Sequence, residues 1–142
     1  MKRILRSTLL VLVAITVLFS LASCLVPIDA DAVWADAVYT EDTAFGSGAV
    51  TVEVEVVVEE KSVTFTISTD AATLGDALLE HGLIAGENGA YGLYVKTVNG
   101  ILADYDVDCS YWAFYKGGEY LMAGVDAEYV TNGAHYEIVY TK

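Results

Sequence analysis

Residues 51–82 read TVEVEVVVEEKSVTFTISTDAATLGDALLEHG, and the change of period inside them decides the fold. Val52, Val54 and Val56 alternate with Thr51, Glu53 and Glu55, giving a strand one apolar and one charged face. Glu59, Glu60 and Lys61 make a turn. Val63, Phe65 and Ile67 then alternate with Thr64, Thr66 and Ser68, as the returning strand of a hairpin does. The apolar spacing next lengthens. Thr73 is placed to cap a helix, with Asp76 reaching back to it, and Leu74, Ala77 and Leu78 form a buried stripe. Gly82 ends the helix in the left-handed conformation, with Leu83 over the last turn. Such a short helix does not persist alone, so it must pack on a sheet.

Beyond it the chain reads as strands. Tyr91 to Val98 leads into Asn99-Gly100, a strong hairpin signal, with Ile101 to Ala103 returning. Tyr111 to Tyr115 runs through Lys116-Gly117-Gly118 into Glu119 to Met122, and Asn132-Gly133 precedes a last strand from His135 to Thr141. The order β-β-α-β-β-β-β predicts an α+β fold, one short helix packed on a mostly antiparallel sheet. Alternation assigns Leu93, Val95, Trp112 and Phe114 to the core with Val52, Val54, Phe65, Ile67 and Leu78. Tyr94, Tyr111 and Tyr115 are left on the opposite faces.

Upstream, the chain changes character. Lys2, Arg3 and Arg6 precede an apolar run from Leu9 to Ala22 broken only by Thr16 and Ser20, the layout of a secretory signal. That run is shorter than the roughly 20 residues a permanent span needs. It ends in Leu21-Ala22-Ser23-Cys24, which resembles the bacterial lipobox. The resemblance implies a diacylglyceryl thioether on Cys24, cleavage after residue 23 and a membrane-anchored, extracytoplasmic protein. Two acyl chains would supply the double anchor that stable attachment requires. An uncleaved signal anchor, or ordinary cleavage after Ala32 or Ala37, are the other readings. Residues 24–50, acidic and rich in small residues, with Pro27 and Gly46-Ser47-Gly48, suit a flexible tether spanning about 28 Å as a random coil. Its apolar Val33-Trp34 and Val38-Tyr39 are unexplained by a tether, with docking on the domain as one use for them.

The charge confines the partners. The chain carries −13, and losing residues 1–23 leaves four basic against twenty acidic residues, a net of −16. Such a surface repels nucleic acid. Two cysteines are too few for a disulfide framework, and an alkylated Cys24 cannot pair with Cys109, which reads as a small buried apolar residue.

Catalytic signals are weak. His81 lies near a helix end, where it suits the helix C-terminus as a charge partner, and His135 starts a strand. No Ser or Cys stands in a nucleophile motif and no phosphate loop follows a strand. Asp104-x-Asp106-x-Asp108 opens like a calcium loop, but Cys109 replaces its Gly and Tyr115 its bidentate Glu, so a solvated acidic turn is expected and no metal or cofactor. The candidate binding residues are Tyr94, Tyr111 and Tyr115, an aromatic platform with His135 or Glu137 nearby that could stack a planar ring or a sugar. Equally, β-propensity alone places tyrosines on a wet sheet face.

Thr73-Leu74-Gly75-Asp76-Ala77-Leu78, Gly82-Leu83-Ile84, Val98-Asn99-Gly100, Tyr111-Trp112-Ala113-Phe114-Tyr115-Lys116-Gly117-Gly118-Glu119, Ala123-Gly124-Val125 and Asn132-Gly133 together resemble the transcobalamin-like C-terminal domain, also known as the domain of unknown function DUF4430. The resemblance covers residues 51–142. It implies a β-grasp-like fold and a non-catalytic module that binds a soluble ligand such as a corrinoid. A structural or adhesive module contacting an envelope protein or glycan is the alternative.

Overall fold

A computed structural model describes residues 23–142, so the basic start and the apolar run lie outside the described residues. In chain order the elements are α1 (Ala30–Trp34), β1 (Thr43–Phe45), β2 (Val50–Val58), β3 (Lys61–Thr69), α2 (Leu74–Glu80), β4 (Ile84–Gly89), β5 (Gly92–Val98), β6 (Ile101–Leu102), α3 (Tyr105–Asp108), β7 (Tyr111–Lys116), β8 (Glu119–Tyr120) and β9 (His135–Thr141). The fold is α+β. A six-stranded sheet runs β1-β3-β2-β9-β7-β8, and a three-stranded sheet runs β4-β5-β6. Pairing is antiparallel except between β1 and β3 and between β2 and β9.

The alternation in residues 51–68 works as its period demands. Val52, Val54, Val56, Val63, Phe65 and Ile67 are fully buried on one face. Across β9 and β7 that face continues through Tyr136, Ile138, Tyr140 and Trp112, with Phe114 packed beside them, and α2 closes it with Leu74, Ala77 and Leu78. Thr73 Oγ1 accepts from the Asp76 N–H at 3.2 Å. Gly82 takes φ +64°, and the Leu83 N–H returns to the Leu78 carbonyl at 3.0 Å, closing the helix as a C-terminal glycine does.

β4 is a strand the periodicity hides. Apart from buried Ile84 it is exposed throughout, so it has no apolar face to read. It is held by its ladder to β5 across an irregularity at Ala85/Gly86, where a Cβ on Gly86 would run into the Tyr94 carbonyl.

The tether is the main correction. Expected as a loose coil, residues 28–45 are packed instead. Asp29 caps α1 through the Ala32 N–H at 3.2 Å, Ala30 is buried, and Ile28, Val33, Trp34, Ala37, Tyr39 and Phe45 lie on the core. β1 adds to the edge of β3 in parallel. Tyr39, Phe45 and Phe65 meet edge-on at 5.3–5.7 Å between centroids. Asn99 clasps the segment from the hairpin turn: its side chain accepts from the Tyr39 N–H at 2.9 Å and donates to the Tyr39 carbonyl at 2.8 Å. His81 stacks on Phe45 at 5.2 Å, with Nε2 buried and without a hydrogen-bond partner. Composition suggested a linker because small and acidic residues dominate, but a few well-spaced apolar ones suffice for docking.

The molecule has two distinct ends. At one, Lys142 Nζ lies 3.6 Å from Asp108 Oδ2, which puts the end of β9 and the start of β7 beside α3. There a single 3-10 turn at Ser23–Leu25 packs on α3, and Cys24 is joined to Cys109 by a disulfide, Cα–Cα 5.4 Å. That bond and a thioether on Cys24 exclude one another, since the sulfur has a single open valence. At the other end, Lys116 and Tyr136 converge on Glu128. Among the described residues no helix is long and apolar enough to cross a membrane.

Candidate functional site

Between β5 and β7 and the stretch that follows β8, the two sheets leave a groove of about 200 Å³. Trp112 and Phe114 form its wall, Leu93 and Val95 its facing side, and Leu121 to Val125 its roof. The indole N–H of Trp112 donates to the Lys96 carbonyl at 3.2 Å, and the ring stands edge-on to Tyr140 at 5.3 Å, so its orientation is set before anything binds. Tyr94 and Tyr120 lie at the rim, and Met122 is 91% exposed. The lining has no carboxylate, imidazole, thiol or ammonium.

The roof is a strap pinned at both ends. The Leu121 N–H donates to the Phe114 carbonyl at 2.8 Å. Asp126 Oδ2 accepts from the Leu93 N–H at 2.8 Å, tying the strap to the start of β5. The Glu128 and Val125 carbonyls accept from the N–H groups of Leu74 and Gly75 at 2.8 and 3.0 Å. The strap therefore satisfies donors that the first turn of α2 would otherwise leave open. Glu128 fastens it further, 2.6 Å from Lys116 Nζ and 3.1 Å from the Tyr136 hydroxyl. Burial pushes the Tyr136 phenol above its ordinary range, and its bond to Glu128 adds to that; the same carboxylate raises the Lys116 ammonium.

The aromatic platform read from the sequence is divided by the fold. Tyr111 and Tyr115 share the outer face of β7, and His135 joins that face from β9, near Tyr115 and Glu137. Tyr94 is on β5, in the other sheet, and belongs to the groove. Tyr111 packs edge-on against Tyr105 at 6.4 Å and Tyr115 against Tyr120 at 5.5 Å, with Ala113 covered between them. The two rings are thus engaged by neighbours. His135 lies between two carboxylates, Nδ1 3.4 Å from Glu53 and Nε2 3.7 Å from Glu55.

The calcium-like run is a capped turn. Asp104 accepts from the Asp106 N–H at 3.1 Å, and Asp108 accepts from both the Ser110 hydroxyl and the Ser110 N–H, the latter at 3.1 Å. Burial would raise the Asp108 carboxyl, but the Ser110 bonds and Lys142 outweigh it and hold it below the usual range. Among the described residues no three His, Cys, Asp or Glu side chains are arranged to hold a metal ion. What sequence reading missed is the strap: residues 121–130 have no period, and only the Ala123-Gly124-Val125 resemblance drew attention there.

No family model and no curated protein matches the chain. Among solved structures, it is similar to a candidate metal-binding protein from Ruminococcus gnavus ATCC 29149, at 32% identity and TM-score 0.63, over 66% of this chain and 98% of that one. It also matches haptocorrin in complex with Cbi, at 21% identity and TM-score 0.57 over 69% of this chain, and spans 26% of that protein's length. The second match shows a shared fold. The first, by identity and by near-complete coverage, makes this chain a member of the same family as the Ruminococcus gnavus protein.

Proposed function

We propose that the chain is a lipid-anchored, extracytoplasmic binding module, non-catalytic, whose groove under residues 121–125 takes the flat apolar edge of a small soluble ligand. One observation carries the reading: the groove is walled by a preset indole and phenyl ring and carries no charged group. Aromatic faces bind planar or CH-rich surfaces without needing a charge partner. The anchor rests on the basic start, the short apolar run and Leu21-Ala22-Ser23-Cys24. A lipidated Cys24 would leave Cys109 as a free thiol.

Haptocorrin's ligand makes a corrinoid the first candidate. At about 200 Å³ the groove is smaller than the roughly 300–1,000 Å³ typical of small-molecule pockets, so it would form one wall of a site rather than enclose a ligand. The β-grasp-like assignment rests on β2 and β9 pairing in parallel and on α2 following the β2–β3 hairpin. A metal ion is not part of this reading, since among the described residues no three His, Cys, Asp or Glu side chains are arranged to hold one.

The test is the visible spectrum of the purified protein titrated with cobalamin, cobinamide and haem, followed by gel filtration. Colour should stay with the protein, and Tyr94→Ala with Met122→Ala should weaken binding at least tenfold while leaving Tm nearly unchanged. If Tyr111→Ala with Tyr115→Ala weakens it instead, the ligand sits on the outer face. No retained colour with any of the three favours a module that contacts an envelope protein or glycan.

A further inference from the structure

The end of the molecule that carries Cys24 is unusually apolar for so acidic a surface. Leu25, on the turn that packs against α3, is 84% exposed, and Val26, the residue after that turn, is 56% exposed. Leu102 at 57% and Tyr105 at 58% flank the same place, at the end of β6 and on α3. Four large apolar side chains are therefore exposed on or next to the turn and α3. Scattered apolar residues need no explanation, but a cluster does.

We infer that this cluster is a membrane-contact face, and that the domain rests on the bilayer surface through Leu25, Val26, Leu102 and Tyr105 instead of floating above it. The inference rests on the lipoprotein reading and extends it. The chain argues for a lipid surface as occupant. Leu21-Ala22-Ser23-Cys24, read as a lipobox, puts the acyl chains on Cys24, and Ile28 is already packed on the core. Three residues separate Cys24 from Ile28, four steps along the chain, a reach of at most about 14 Å. Acyl chains on Cys24, which exclude the bond to Cys109, would therefore keep Ile28 and the core it packs on within about 14 Å of the anchored sulfur.

The side chains suit the interface. Aliphatic residues and a tyrosine gain by entering the boundary between headgroups and hydrocarbon. Two nearby carboxylates are matched by cations, Asp104 by Lys96 at 3.9 Å and Asp108 by Lys142 at 3.6 Å. Asp106, Glu59 and Glu60 are exposed, so contact should be better on zwitterionic than on anionic lipid.

The test uses lipidated full-length protein in phosphatidylcholine vesicles with bromine on the upper acyl chains. The indole introduced by Tyr105→Trp should lose at least half its emission to the bromolipid. That introduced by Tyr129→Trp, exposed at the opposite end, should lose none. Replacing a third of the lipid with phosphatidylglycerol should reduce the quenching at position 105. Equal quenching at both positions, in protein whose N-terminal peptide has the diacylglyceryl mass, overturns the contact face and leaves the anchor standing. A peptide without that mass, with protein that fails to float with the vesicles, removes the anchor and this face together.

Discussion

At the residue scale the fold turns on a few side chains that join distant segments. Asn99 is the clearest. It is 1% exposed, its backbone is at φ 51° in a turn, and its amide closes two hydrogen bonds to Tyr39. Asparagine tolerates that left-handed geometry, which most residues resist. Asn99→Ala removes both bonds and strains the turn, so it should cost about 2–4 kcal/mol in urea unfolding. Asn99→Gly relaxes the backbone but still lacks the clasp, and should recover only part of that loss. Full recovery by glycine would mean the side chain does nothing for the docked segment.

At the scale of elements, the strap and α2 form one unit. Gly75 explains why that helix carries a glycine in its first turn: a Cβ there would lie 2.6 Å from Asp126 Oδ1 and 3.3 Å from Val125. Alanine ordinarily favours a helix by about 1 kcal/mol over glycine. Gly75→Ala should nevertheless lower Tm, and should speed amide exchange at Leu93 and across residues 121–125, because Asp126 is pushed off β5. A rise in Tm would show that the strap yields without cost.

How far the sequence could be read follows from the same elements. The hairpin at residues 50–69, α2 and the last strand were legible because each has a period and a stop signal. The core assignments of Trp112 and Val95 held for the same reason. β4, β1 and the strap were not legible, since they are held by backbone pairing or by single contacts that leave no pattern. The groove was half visible. Its walls came from alternation, but nothing local to residues 121–125 says that they bend back over Trp112. Only folding separates Tyr94 from Tyr111 and Tyr115.

At the scale of the molecule, the fate of Cys24 sets two different proteins. Unlipidated, the chain carries a bridge across a sequence separation of 85. Reducing it, or Cys109→Ser, should cost about 2–4 kcal/mol, seen as a fall in Tm of about 10 °C. Lipidated, the chain has no bridge to lose, and Cys109→Ser should leave Tm within about 2 °C. Comparing membrane-extracted material with unlipidated protein oxidised after purification separates the two. Identical losses in both would show that Cys24 is not alkylated in the membrane-extracted material.

The strap's carbonyls have one more effect. Because Val125 and Glu128 provide acceptors for the opening amides of α2, any guest that must raise the roof of the groove to enter also frays the helix behind it. Occupancy and helicity are then thermodynamically linked. A tight guest would be one that slides in beneath an unmoved roof, and a bulky one would announce itself as lost ellipticity far from where it touches.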